Sequence, residues 1–245
     1  GSADEIWTGT FHSVCMRIIR SNVAKMGYSD GVTIYDTDDT KKTLSAVMKD
    51  LNIDEKAFPI KSVAGEISRA KEKLLTPGSY AETAAGGYRE KIYARIYEEY
   101  QKRLNNSNAL DFDDIIMQTV LLLKNDAEVR RYYARKFRYI CVDEYQDTNP
   151  AQFALCSLLA GEWKNIMVVG DDDQSIYRFR GATIENILNF DKTYPDAKVI
   201  KLEQNYRSTK TILDAANAVI NKNQGRRKKT LWTENDEGTK IVLEE

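Results

Sequence analysis

Tyr139-Ile140-Cys141-Val142-Asp143-Glu144 and Ile166-Met167-Val168-Val169-Gly170-Asp171 decide the fold, because each is a short apolar run that ends abruptly in acid. Unalternating runs of this length are what strands buried on both faces read like. Between them Pro150 to Ala160 suits a helix with proline near its start, and upstream Ile115 to Leu123 and Val129 to Ala134 also read as helices. Downstream, Ile184 to Phe190 is helical, Val199-Ile200-Lys201-Leu202 reads as a further strand, and Thr209 to Ile220 as a strong helix. Strands alternating with helices predict an α/β domain, a parallel sheet with helices on both faces.

Further upstream, Ile6 to Thr10 has strand-like content and leads into a helical period over Phe11 to Met26, carried by Val14, Cys15, Ile18, Ile19 and Val23. Gly27 marks its stop, and Asp30-Gly31 gives a turn before Val32-Thr33-Ile34. From Asp38 to about Leu104 the pattern is helical, with apolar stripes through Leu44, Val47, Met48 and Leu51, through Val63, Ile67 and Leu74, and through Ile92, Ile96, Tyr100 and Leu104. Pro59, Pro77-Gly78 and Gly86-Gly87 separate these helices, and Asn105 to Asn108 is a polar connector. The first strand-helix pair matches the later ones, so a helical domain interrupts the sheet domain. Tyr88, Tyr93, Tyr97 and Tyr100 recur at helical spacing, which suits a packed core or a base-stacking face.

The 245 residues carry 36 basic and 37 acidic side chains, a net charge of -1 and a pI near 6.1. That balance excludes binding to nucleic acid through an overall positive field, but not through a local track of cations. No run approaches the ~18 consecutive apolar residues of a membrane span, and the start lacks the sections of a secretion signal, so a cytoplasmic protein is expected. Cys15, Cys141 and Cys156 are isolated from one another and read as buried free thiols. His12 is the one histidine, which makes a His-based zinc site or a Ser-His-Asp relay hard to build. Chemistry must then rest on carboxylates, amides and arginines.

Three strand ends offer such groups, at the edge where open parallel sheets place ligands. After Val142, Asp143 can hold a hard cation and Glu144 can take a proton from an attacking water. The plainer reading is that Asp147-Thr148-Asn149 before Pro150 simply starts a helix. After Val169, three acids at 171–173 precede Gln174, suited to sensing a phosphate or its attacking water, then Tyr177 and Phe179 with base-stacking faces and Arg178 and Arg180 with phosphate forks. An acidic turn followed by an amphipathic segment fits that stretch as well. After Leu202, Tyr206 and Arg207 precede Ser208 and Thr209, which suit a helix cap; Arg207 either pairs with a nearby acid or reaches an anion, with Tyr206 free to stack.

Five strings occur in order: Thr10-Phe11-His12-Ser13, Leu110-Asp111-Phe112-Asp113-Asp114, Asp143-Glu144-Tyr145-Gln146-Asp147, the segment from Gly170 to Ala182, and Gln204-Asn205-Tyr206-Arg207-Ser208-Thr209. Together they resemble the superfamily 1A DNA helicases of the UvrD/Rep/PcrA family over essentially the whole chain. The resemblance implies an incomplete RecA-like sheet, with motor domain 1A at residues 3–28 and 109–203, a helical 1B-like insertion at 29–108, and the beginning of motor domain 2A at 204–245. It implies ATP and Mg²⁺ as cofactors, Asp143 as the metal-coordinating carboxylate and Glu144 as the catalytic base. Gln174 and Arg207 resemble groups contacting the γ-phosphate, and Tyr206 the residue stacking on adenine. Phe11, His12, Tyr177, Phe179 and Arg180 are expected on the DNA path, although many relatives have Trp where this chain has Phe179. The activity implied is ATP-driven 3′ to 5′ translocation on single-stranded DNA with duplex unwinding, on single strands and single-strand/duplex junctions, with repair or transcription proteins as further partners.

The Gly-Lys-Thr loop that cradles phosphates in that family has no counterpart here, and Gly86-Gly87 lacks the strand, Lys and Ser/Thr needed to replace it. Gly1-Ser2 looks like an expression scar, so the expectation is a piece of a larger motor that is inactive by itself. The alternative class is a non-catalytic single-strand-binding or protein-interaction module, which does not explain why the strings around Asp143, Gln174 and Arg207 coexist. A Mg-dependent nuclease would use the same acids, but no second acidic cluster supports it.

Overall fold

Capping side chains start most of the helices where the sequence places them. The computed structural model describes residues 6–84, 86–176, 181–223 and 227–242. These fall into two compact units, Gly1–Val142 with Thr148–Met167, and Asp143–Asp147 with Val168–Glu245.

In the first unit, Thr10 accepts a hydrogen bond from the Ser13 N–H and starts α1 (Phe11–Arg20). The stretch from Ile6 to Thr10 is not a strand, contrary to expectation. Gly9 at φ +148° turns the chain into the helix, and Thr10 is spent on the cap. The helix is also shorter than its period suggested, because it breaks at Ser21-Asn22 into a 3-10 turn, Val23–Met26, that Gly27 closes in the left-handed region. β1 (Thr33–Ile34) pairs in parallel with β2 (Ala109–Leu110), and the chain between them forms the helical layer. That layer comprises α2 (Thr37–Asp50), α3 (Ile60–Glu72), α4 (Pro77–Thr83) and α5 (Tyr88–Asn106). Its core holds the three predicted stripes, with Leu44, Val47, Met48, Val63, Ile67, Ile96, Tyr97, Tyr100 and Leu104 all buried. Tyr97 and Tyr100 are therefore packing residues, while Tyr88 points to solvent.

A second core joins Cys15, Ile18 and Ile19 of α1 to α6 (Phe112–Asn125), α7 (Ala127–Lys136) and α8 (Pro150–Leu159). The two cores meet a buried charge cluster. Lys71, fully buried, lies 2.6 Å from Asp111 Oδ2 and 2.9 Å from Asp114 Oδ1. Burial alone would strip its proton, but the charges of Asp114 and Asp111 raise its pKa instead. Burial pushes Asp111 the other way, yet Lys71 and the hydrogen bonds around it hold that carboxyl below its ordinary value.

β3 (Ile140–Val142) and β4 (Ile166–Val168) form the second two-stranded sheet. Ile140 N–H donates to Asn165 and Tyr145 N–H to Val169, so the bonds advance in the same direction along both strands and the pair is parallel. In the second unit, Val199 to Leu202, expected as a strand, has no regular secondary structure, and Val199, Ile200 and Leu202 are exposed. Among the described residues its apolar content has no neighbouring strand to pair with, and the pairing seen there is a parallel bridge between Gln204 and Trp232. The helix expected over Ile184 to Phe190 forms as two single turns, α9 (Glu185–Leu188) and α10 (Phe190–Thr193), and α11 (Lys210–Ile220) follows as predicted. Cys15 and Cys156 are buried, and burial pushes both thiols up to about 12, but Cys141 is exposed on the outer face of β3, correcting the expectation of three buried thiols.

Replacing Lys71 by Met leaves two buried carboxylates facing each other without a cation. Loss of about 3–5 kcal/mol of stability is expected in urea denaturation, largely recovered when Asp111→Asn and Asp114→Asn are added. A second test concerns Glu72, whose carboxyl is pushed up to about 7 by burial and then by the charge of Asp113, against the pull of Asn149, Arg69 and Lys73. Because the folded value lies above the ordinary 4.5, the stability that Glu72 contributes is present at low pH and lost as pH rises from there through about 7. Glu72→Gln should therefore gain in melting temperature over the parent at pH 8 and much less at pH 5; an equal difference at both would remove Glu72 from the pH response.

Candidate active site

β3 ends at buried Val142, and the next two residues, Asp143 and Glu144, are exposed. Glu144 sits at φ +50°, a left-handed conformation that costs a residue with a Cβ about 1–2 kcal/mol. Its N–H is held by Asp143 Oδ1 at 2.9 Å, which helps fix the turn. The single 3-10 turn Tyr145–Asp147 follows, with Tyr145 and Gln146 buried. Tyr145 meets the edge of Phe190 at 5.7 Å and 86°, anchoring the turn in the second unit.

Gln146 joins the two strand ends. Its Nε2 donates to Glu144 Oε2 at 2.7 Å, while its Oε1 accepts the Asp171 N–H at 3.0 Å. Asp171 in turn accepts from Gln174 Nε2 at 2.8 Å through Oδ2. Glu144, Gln146, Asp171 and Gln174 thus form one hydrogen-bonded relay. Gly170 makes the approach possible, since a Cβ there would stand 2.5 Å from Gln146 Oε1 and 3.1 Å from the Tyr145 backbone nitrogen.

The carboxylates of Asp171, Asp172 and Asp173 have oxygens within 4.8 Å of one another, and the Lys229 ammonium stands among them. It pairs with Asp171 and lies 3.8 Å from Asp172 and 3.6 Å from Asp173. Burial would raise the Asp171 pKa, but the bonds from Lys229 and Gln174 hold it below the ordinary range. Arg227 braces the same turn, its N–H donating to Asp172 at 2.7 Å and its guanidinium to the Leu188 carbonyl at 2.8 Å.

Around Glu144 the charge is not balanced in this way. Asp147 Oδ1 is buried with no hydrogen-bond partner among the described residues, and burial, then the charge of Glu144, raises the Asp147 pKa. Asp143 at the strand end is an exposed carboxylate, a hard-oxygen donor of the kind that holds a hydrated Mg²⁺ through one or two carboxylates.

Tyr206 and Arg207 stand on a turn that Asn205 folds, its Oδ1 accepting from Arg207 N at 2.9 Å and Ser208 N at 2.8 Å. Both side chains are exposed, and the Tyr206 hydroxyl donates to Gln204 Oε1 at 2.7 Å. They lie in the same unit as the relay and are not hydrogen-bonded into it.

In the first unit, Phe11 is half-buried against the second core, and His12 stacks on Phe112 with ring centroids 3.8 Å apart and 26° between planes. Burial lowers the His12 pKa, so the imidazole is neutral at pH 7. Phe112 is 59% exposed despite its size, leaving ring surface open to solvent. Tyr177, Phe179 and Arg180 lie outside the described residues. Sequence reasoning missed Gln146, Lys229 and Phe112 as contributors. Gln146 and Phe112 stood inside quoted strings, and the signal for Phe112 was an aromatic directly after a capping Asp, where a helix faces solvent. Nothing local marked Lys229, whose partners lie 56 to 58 positions earlier.

A family model for the UvrD/REP helicase N-terminal domain matches residues 1–195, and one for the UvrD-like helicase C-terminal domain matches residues 200–245. The chain is 52% identical over 239 residues to the ATP-dependent DNA helicase PcrA of Bacillus subtilis, a match covering 98% of this chain and 32% of that one. Proteins of the same name from Staphylococcus aureus and Staphylococcus epidermidis are 51% and 50% identical, again over 98% of this chain and 33% of theirs. The chain spans about a third of the length of the curated relatives it matches.

Gly170→Ala tests the relay. The new methyl cannot avoid a backbone nitrogen, so a loss of about 1–3 kcal/mol is expected in thermal unfolding. A neutral substitution would mean that the two strand ends are not held this close.

Proposed function

Because the chain belongs to the UvrD/REP helicase family, we propose that it supplies part of an ATP-driven motor that moves 3′ to 5′ along single-stranded DNA and unwinds the duplex ahead. The observation that carries this reading is the relay from Glu144 through Gln146 and Asp171 to Gln174. It ties a carboxylate at one strand end to an amide at the next, so a proton acceptor and a phosphate-sensing group move as one body. Phosphoryl transfer needs this, since its catalysis is mostly positioning and electrostatics.

In this proposal Glu144 takes the proton of the attacking water while the amide of Gln146 fixes its carboxylate. Asp143 holds Mg²⁺, which when bound neutralises charge on the nucleotide phosphates. Gln174 contacts the γ-phosphate or the water aligned on it, and Arg207 brings a guanidinium to the same phosphate as charge develops. Tyr206 offers its exposed face to adenine. The DNA strand crosses Phe11, His12 and Phe112, whose neutral stacked pair suits base stacking worth about 1–3 kcal/mol per engaged base. Tyr177, Phe179 and Arg180 are proposed to continue that path, and single-strand/duplex junctions are the substrate.

The 245 residues contain no Gly-Lys-Ser/Thr string, so the chain by itself has no loop of backbone N–H groups and Lys to hold the phosphates. Its own activity is then weak binding of single-stranded DNA without turnover, the part of the non-catalytic reading that survives. Phosphate release with Mg-ATP and excess single-stranded DNA tests both statements. In the full-length protein, Glu144→Gln should lower kcat by about 10²- to 10⁴-fold with little change in KM for ATP, whereas the 245-residue chain should show no turnover. An unchanged kcat in the full-length variant would reject Glu144 as the base. Turnover near about 1 per second by the short chain, lost in Glu144→Gln, would reject the dependence on a phosphate loop.

A further inference from the structure

Residues 127–139, Ala-Glu-Val-Arg-Arg-Tyr-Tyr-Ala-Arg-Lys-Phe-Arg-Tyr, carry five cations against one acid in a chain whose total charge is -1. Three of the five are used internally: Arg130 donates to the Leu123 and Lys124 carbonyls that end α6, Arg131 donates to the Ala127 carbonyl at 3.3 Å, and Arg135 lies 3.5 Å from Glu162. Arg131, Lys136 and Arg138 are exposed. Large aromatics lie exposed among them, Tyr139 at 79%, Tyr132 at 58% and Trp163 at 43%. Cations in the last turn of a helix need no ligand to explain them. Two of the rings pair with the cations beside them, Tyr132 with Lys136 and Trp163 with Arg138, so planar faces and positive charge are presented together on the surface.

The surface is also fixed in shape. Lys136 Nζ stands 4.7 Å from the Trp7 ring centroid and 5.8 Å from that of Tyr132, and the Arg138 guanidinium 5.6 Å from that of Trp163. Trp163 donates its indole N–H to the Arg135 carbonyl at 3.1 Å, and Asn165 its amide to the Arg138 carbonyl at 3.0 Å, which pins the segment before β4 to the end of α7. Arg17, in the last turn of α1, approaches Trp7 at 5.2 Å from its centroid. The patch therefore lies by the C-terminal ends of α1 and α7, while Phe11, His12 and Phe112 occupy the first turns of α1 and α6.

We propose that this face, built from Tyr132, Lys136, Arg138, Tyr139 and Trp163, is a second binding surface for single-stranded nucleic acid, separate from the path over His12 and Phe112. Guanidinium and ammonium groups meet phosphates, and the uncovered rings take unstacked bases. A duplex hides its base faces and leaves the rings unused; an acidic peptide satisfies the cations but has no planar bases for the rings.

The test is fluorescence anisotropy of the 245-residue chain with a labelled oligo-dT at two salt concentrations. Phe112→Ala, Phe112→Ala/Tyr139→Ala and Phe112→Ala/Arg138→Gln are compared, with circular dichroism confirming that the exposed substitutions leave the fold intact. Phe112→Ala should retain salt-sensitive binding, and adding Tyr139→Ala should weaken it by at least about fivefold. Adding Arg138→Gln should flatten the log-log salt slope by about 0.7, as for one lost phosphate contact on a single strand. The proposal is overturned if Phe112→Ala alone abolishes binding, or if both double variants bind like Phe112→Ala. It is equally overturned if Tyr139→Ala has no effect while polyglutamate competes fully, which would make the face an acidic-peptide surface. Because Phe112 is replaced in every variant, the Tyr139→Ala and Arg138→Gln differences are read against the same residual binding, and the failure of this face is distinguishable from a failure of the path proposed above.

Discussion

A buried ammonium must have partners, and Lys71 obtains them from the two residues that also start α6. Asp111 gives one oxygen to the Asp114 N–H at 2.8 Å and the other to Lys71 at 2.6 Å and the Tyr100 hydroxyl at 3.0 Å. Asp114 returns a bond to the Asp111 N–H at 3.3 Å and accepts from Gln101 at 3.2 Å. Helix cap and ion pair thus use the same carboxylates, so α6 cannot shift its start without exposing a charge inside the protein. The helical layer contributes Lys71, Tyr100 and Gln101, and α6 contributes the acids. Phe112 lies between the two acids, and with both neighbours committed inward its ring is left outside, beside His12. An exposed aromatic at this position is a consequence of the buried charge.

The second unit is organised by a different constraint, the short reach of an amide. Gln146 bonds both strand ends, and it does so because Gly170 lets the backbone come close and because Glu144 accepts a left-handed conformation. Backbone strain of that kind persists where neighbours over-determine it, as the Asp143 and Gln146 bonds do here. The relay is the strongest structural reason to look for chemistry at Glu144, more so than the acidity of the strand ends themselves.

Where the sequence was legible, the signal was local. The step from Val142 to Asp143 marks a strand end because an ionised carboxylate cannot continue a buried apolar run, and the Asn149 cap was readable as a turn-forming residue ahead of Pro150 and an apolar period. Strands are different, because a β-rich run becomes a strand only beside another. Ile6 to Thr10 and Val199 to Leu202 have the composition but pair with no strand among the described residues, so neither joins a ladder. Cys141 failed for a related reason: a two-stranded sheet has an uncovered face, and the period-2 alternation put the thiol there. Lys71 and Lys229 were invisible because their partners lie 40 or more positions away, and nothing in a lysine announces whether it will be buried.

Charge bookkeeping by composition also misjudges how this chain meets anions. A total of -1 suggests indifference to nucleic acid, yet the cations are not equally available. Lys71 is committed to Asp111 and Asp114, Lys229 to the acids at 171–173, Lys25 to Asp126 and Glu128, and Arg130 to the end of α6. The three lysine pairings neutralise acids as well as bases, so each removes a repulsive carboxylate from the field that an approaching phosphate meets. What remains is set by position rather than by sum: exposed cations beside exposed rings in one region, and under-compensated carboxylates around Glu144 in another. A chain of nearly zero net charge can carry regions of both signs because screening confines each field to about 10 Å at ordinary salt.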